Sequence, residues 1–251
     1  MTPGAGSGWA PYCGAAPVPA ELLSRWNFDP MLLLVMAAFV IGRQFHAGQA
    51  RQRETTCAYA SVALALFLFV SPFCALTSAL FSARVVHHVL LAAVLASLLA
   101  FSLPRDRLLT TGSLAGWTGM QAVIFWAWHV PSLYSAALSN DAIYWLMQIT
   151  LTGASFAFWS SVRRASPPSA VGALLFTMVQ MGLLGALITF AGTPLYAPHF
   201  ASTVPWGLSP LDDQQLAGLI MWAPSAAIYL SAALIIASRW LRSEARAAVD
   251  A

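Results

Sequence analysis

Five histidines occur in the 251 residues, and four of them, His87, His88, His129 and His199, fall at one end of a shared set of long apolar blocks, with His46 at the other. Imidazole is a ligand for copper, zinc or iron, and the softer thioether of Met221, one or two turns into the last block, suits Cu(I). Coordinating side chains at membrane depth carry a default expectation of function, because burying them without a partner is costly. His88 and His129 are the central pair of candidate metal ligands, with His87, His199, Met221 and Asp213 around them. Each has a plainer reading: a histidine bonded to carbonyls and water at the membrane interface, or a methionine that packs. Asp212 and Asp213 precede the last block and are followed by Gln214 and Gln215. A carboxylate there caps the free amides of a helix start and complements its dipole. That accounts for one aspartate and leaves the other for a metal, Arg84 or a partner loop.

The elements that must position these residues follow from composition. Hydrophobic residues make up 59% of the chain and charged residues 8%, with a mean hydropathy of +0.71; a soluble domain carries about 25% charged residues. The apolar blocks run over 28–42, 57–76, 85–103, 114–130, 142–162, 171–192 and 216–240. Most approach the roughly 20 residues that cross the hydrocarbon. The sequence therefore predicts an all-α, seven-transmembrane-helix bundle. It divides into an extracytoplasmic tail over 1–25, the membrane domain over 26–240 and a cytoplasmic tail over 241–251.

All 12 basic residues are arginine. With seven spans, ten of them (Arg43, Arg51, Arg53, Arg105, Arg107, Arg163, Arg164, Arg239, Arg242 and Arg246) share one side, against Arg25 and Arg84 on the other. The positive-inside rule then puts the C-terminus in the cytoplasm and the N-terminus outside. The first thirty residues lack a basic region and an early apolar core, and read as a tail rather than a cleaved signal peptide. Cys13, Cys57 and Cys74 form no CxxC pair; they read as isolated apolar cysteines, with an outer Cys13 to Cys74 bridge as the alternative. The loop over 193–215, rich in proline, glycine and aromatics, is expected to fold as a cap on the outer side. Pro131 and Pro224 are expected to break or kink their helices.

Several chemistries are excluded. No Walker loop, GxGxxG, HExxH or GxSxG stretch is present. A retinal Schiff base needs a lysine, and the chain has none. A haem- or quinone-binding membrane oxidoreductase subunit stays open, with His88 and His129 as axial ligands. So does a metal-free scaffold, and so does a transporter, although seven spans do not divide into two halves.

Specific stretches narrow the choice: WNFDP at 26–30, HVLL at 88–91, WHVPSLYSAAL at 128–138, FW at 158–159, TPLY at 193–196 and LSPLDDQQLAGLIMW at 208–222. Together they resemble the polytopic CtaG family, membrane assembly factors for haem–copper cytochrome c oxidase. The resemblance runs over about 26–240, and the stretches at 128–138 and 208–222 are its most specific parts. It implies a non-catalytic role in maturing the oxidase in a bacterial plasma membrane, with oxidase subunits as partners and copper handled at the outer face. The family pattern implies further histidines where this chain has Arg84, Tyr144 and Gln148.

Overall fold

The computed structural model describes residues 11–45, 51–104 and 111–249. His46, Arg105 and Arg107 lie outside the described residues, as do the first ten residues of the tail. Every regular element among the described residues is helical. A 3-10 turn over Pro19–Ser24 leads to α1 (Pro30–Phe45), α2 (Gln52–Phe69) and α3 (Pro72–Ala79). Next come α4 (Phe81–Val89), a π-helical turn over Leu90–Leu95 and α5 (Ala96–Ser102), which form one unbroken helix. Then follow α6 (Leu114–Trp128), α7 (Pro131–Ser139), α8 (Asp141–Arg164) and α9 (Pro167–Thr189). Short 3-10 turns over Ala197–His199 and Val204–Trp206 precede α10 (Pro210–Val249).

Among the described residues, three helices are long and apolar enough to cross a membrane: Phe81–Ser102, Pro167–Thr189 and Pro210–Ala248. The pair α2 and α3, bent by 48°, adds a fourth if it is one span. The bend falls where the sequence predicts an unbroken block. Ser71 accepts a hydrogen bond from the Phe73 amide and Pro72 occupies the first helical position, so a new helix starts there. Helix α8 is less apolar for a different reason. Tyr144, Met147, Gln148, Leu151, Ser155 and Phe158 on it are buried against protein rather than lipid, so polar side chains are tolerated.

Helices α9 and α10 approach to backbone contact. A Cβ added at Gly218 would lie 2.5 Å from the Gly185 carbonyl oxygen, and one at Gly185 would lie 2.7 Å from that of Gly218. Small residues permit this approach where no hydrophobic effect drives helices together. Helix α10 runs through Pro224, where the sequence predicts a break or kink.

The cysteine reading is corrected. Cys13 and Cys74 form a disulfide, and Cys57 is free. Residues 11–29 fold back over the bundle: Tyr12 donates to Asp29 at 2.7 Å and its ring stacks on Tyr144 at 4.9 Å. Asn27 donates to the Phe69 carbonyl, at the end of α2. These contacts hold Cys13 beside α3, and sequence spacing carries no sign of them. Alkylation of the unreduced, detergent-unfolded protein is expected to label one cysteine, and three after reduction. Cys13→Ser opens a loop whose closure separates residues 61 apart, and is expected to cost about 4 kcal/mol, read by thermal unfolding.

Candidate functional site

The site begins with how α6 ends. The His129 amide bonds back to Trp126 rather than to Phe125, because the helix tightens before Pro131 opens α7. This frees the Phe125 carbonyl, which accepts a 2.7 Å hydrogen bond from Nδ1 of His129. A carbonyl can only accept, so Nδ1 carries the proton and the lone pair of Nε2 points away from it. That lone pair faces His88, whose Nδ1 lies 3.5 Å from His129 Nε2 with the rings perpendicular. His88 is fully buried, His129 nearly so, and Nε2 of His88 has no hydrogen-bond partner.

His88 sits on α4, one residue before the turn that passes into the π-helical segment. The sequence predicts a helix from residue 85 with His87 and His88 at its mouth. The helix starts four residues earlier, at Phe81, which takes both histidines into its second turn and out of solvent. Its own N-cap, Leu80, offers no side-chain acceptor. Asp213 supplies one from α10: its carboxylate accepts from the Phe81 amide at 2.6 Å, the Ser82 amide at 3.2 Å and the Ser82 hydroxyl. Asp212 makes the local cap instead, bonding to the amide and hydroxyl of Ser209.

The loop over 193–215 is a folded cap. Tyr196 donates to the His129 carbonyl at 2.8 Å and stacks on Phe81 at 3.7 Å. His199 donates from Nδ1 to the Ala79 carbonyl and accepts at Nε2 from the Tyr134 hydroxyl at 2.7 Å. Gln214 ties the cap down, donating to the Ile188 and Thr193 carbonyls and accepting from the Leu195 amide at 2.6 Å.

Of the six candidate ligands, then, the structure brings His88 and His129 together. His87 neighbours His88, with ring centres 6.1 Å apart, but its ring meets the edges of Phe69 and Phe73. His199 spends both nitrogens on the cap and Asp213 spends its carboxylate on α4. Met221 is fully buried in the main apolar core. No cluster of three or more histidine, cysteine, aspartate or glutamate side chains suited to a metal occurs among the described residues.

Sequence reasoning missed the burial of Arg84. Its side chain is fully enclosed one turn before His88, with the guanidinium 5.3 Å over the Tyr144 ring. No carboxylate lies within ion-pair distance among the described residues. Gln148, one turn after Tyr144 on the same face of α8, is buried with its amide atoms unpartnered. Arg84 and Tyr144 are thus in contact, and Gln148 lies one helical turn away.

The model of a family described as cytochrome c oxidase caa3 assembly factor matches residues 118–243, half of the chain. The chain belongs to this CtaG family. Comparison with curated proteins and with solved structures gives no match. The CtaG match covers α6 to α10 and so contains His129, the cap, Asp213 and Gly218, while Arg84 and His88 lie upstream of it.

Two outcomes follow from this geometry. Asp213→Ala leaves the α4 amides without a charged acceptor, and is expected to lower stability by roughly 3 kcal/mol, seen as a lower melting temperature in detergent. His199 lies in the cap, where burial, reinforced by the charge of Arg84, pushes its pKa down to about 3 against the opposing bond to Ala79. The unfolded chain takes up that proton near pH 6.5, the folded protein only near 3. The stability due to neutral His199 is therefore complete above pH 6.5 and falls as the pH drops from there towards 3. The slope approaches about 1.4 kcal/mol per pH unit. Melting curves at pH 7.5 and 5.0 should show this loss in the wild type and a smaller one in His199→Gln.

Proposed function

We propose that this CtaG protein holds Cu(I) transiently as cargo between His88 and His129 during maturation of cytochrome c oxidase, without catalysing a reaction. The observation that carries the reading is the 3.5 Å separation of His88 Nδ1 and His129 Nε2 in a buried site. Two imidazole nitrogens about 2.0–2.1 Å from one metal, at tetrahedral to trigonal angles, stand roughly 3.3–3.6 Å apart. The pinned tautomer of His129 supports it, because a carbonyl bonded to the other ring nitrogen orients ligating histidines in this way. A haem between the two residues fits poorly: axial nitrogens would be about 4 Å apart with a macrocycle between rings that here nearly touch. Asp213, His199, His87 and Met221 act around the pair as cap, cover and packing.

The proposed setting is a bacterial plasma membrane crossed seven times, with the N-terminus and the histidine pair outside and the C-terminus in the cytoplasm. The arginine distribution supports this orientation, and so does the disulfide, since such bonds persist in oxidising compartments. The partners are oxidase subunits awaiting metal. Arg84 gives the site its weakness. One turn from His88, its positive charge opposes a second cation, which suits a protein that must release what it holds.

Anaerobic loading with Cu(I) in detergent should give close to one copper per chain with no Soret band, and the His88→Ala, His129→Ala double variant should lose it. No copper on a folded wild type would remove the proposal and leave a metal-free scaffold; a Soret band would shift the reading to haem. Arg84→Met should raise Cu(I) affinity about tenfold or more, measured by competition with a chelator.

A further inference from the structure

At the end of the bundle opposite the histidines lies a cleft of about 960 Å³. It is formed where α2 starts, α5 and α8 end, α9 starts and the later turns of α10 pass. Its character is divided. Arg51, Arg53, Arg163 and Arg239 stand around it, and among the described residues Glu54 is the one carboxylate in its lining. Glu54 accepts from the Arg51 amide at 3.2 Å and forms no ion pair among the described residues. The walls are apolar: Trp159, Val162, Ala232 and Ile236. The Trp159 ring is fixed by stacking on Tyr229 and by a bond to the Ala92 carbonyl, so the wall is preformed.

Two of the cations are held in place. The guanidinium groups of Arg53 and Arg163 each lie 4.8 Å from the centre of the same Phe101 ring. Arg163 also donates to the Ala100 and Leu103 carbonyls that end α5. Beside the cleft the surface of α10 is exposed and apolar, with Leu234, Ile235 and Leu241 at least half accessible. A ligand for this cleft needs an anionic head at the arginines and an apolar body continuous with that face.

We infer that the cleft binds the head and upper acyl chains of an anionic phospholipid. Charge complementarity selects the occupant: clustered guanidiniums match phosphate oxygens, and basic pockets between membrane helices hold anionic headgroups. A soluble anion would leave the apolar walls uncovered, and a zwitterionic lipid would bring its own cation to the arginines. That the lipid comes from the cytoplasmic leaflet rests on the orientation proposed above; the binding itself rests on neither orientation nor copper.

Native mass spectrometry of the full chain in mild detergent tests this with phosphatidylglycerol, phosphatidylcholine and inorganic phosphate as probes. The cleft variant is Arg51→Gln, Arg53→Gln, Arg239→Gln, all at exposed positions. The control is Arg242→Gln, Arg246→Gln, at the same end but outside the cleft. Each arginine contributes about a fivefold factor, so retention of phosphatidylglycerol is expected to fall roughly a hundredfold in the cleft variant and little in the control. Phosphatidylcholine should bind weakly to all three proteins. Equal loss in both variants would overturn the site in favour of diffuse surface charge. Equal retention of the two lipids, or displacement of phosphatidylglycerol by inorganic phosphate at matched concentration, would overturn the lipid assignment. Copper binding unaffected by the cleft variant separates this outcome from that of the metal site.

Discussion

A carboxylate from the last helix caps a helix from the first half of the chain, and the geometry around the histidines depends on it. Asp213 meets the Phe81 and Ser82 amides, groups that lipid cannot satisfy and that Leu80 cannot reach. Removing unpaired amides from a low-dielectric interior is the constraint that membrane proteins meet first. Here it extends α4 by one turn. Extension carries His88 inward to His129, encloses Arg84 and brings Phe81 beneath Tyr196, so that the cap packs on the same helix that it helps to terminate.

Around that contact the polar groups are arranged in two classes. Tyr196, His199, Gln214 and Asp213 are engaged on both sides and hold the cap to the bundle. His88 and Gln148 keep unpartnered atoms, and Arg84 is buried without a carboxylate partner among the described residues. Unsatisfied groups of this kind cost stability, and several of them lie near the pair of imidazoles. The arginine cleft at the far end of α8 is a separate feature, although its apolar walls, Trp159 and Val162 among them, belong to the same bundle core.

Much of the fold was legible because its signal is compositional. Long apolar blocks gave the helices, Pro131 gave the break that separates α6 from α7, and the richness of the 193–215 loop gave the cap. The pairing of His88 with His129 was legible as shared placement at one end. What was not legible depends on residues far apart in sequence. Asp213 and Phe81 form a cap with no local signature, Cys13 reaches Cys74 through a folded tail, and Arg84 looks like a loop charge until the helix start moves to residue 81. The 208–222 stretch was specific as a pattern, but its reasons emerge only in three dimensions: a capping aspartate, a glutamine that closes the hairpin, and a glycine against a neighbouring backbone.

That last glycine limits how anything can travel. At Gly185 and Gly218 the backbones of α9 and α10 touch, and Trp222 lies against Gly182 on the next turn. No acyl chain or side chain has width to pass between them, so this seam is shut as a lateral portal from the bilayer. Tyr196, stacked on Phe81, holds the His129 carbonyl from the side of the cap. The α9–α10 seam is therefore no route to His88 and His129, and the folded cap, bonded to the His129 carbonyl through Tyr196, covers them at this end of the bundle.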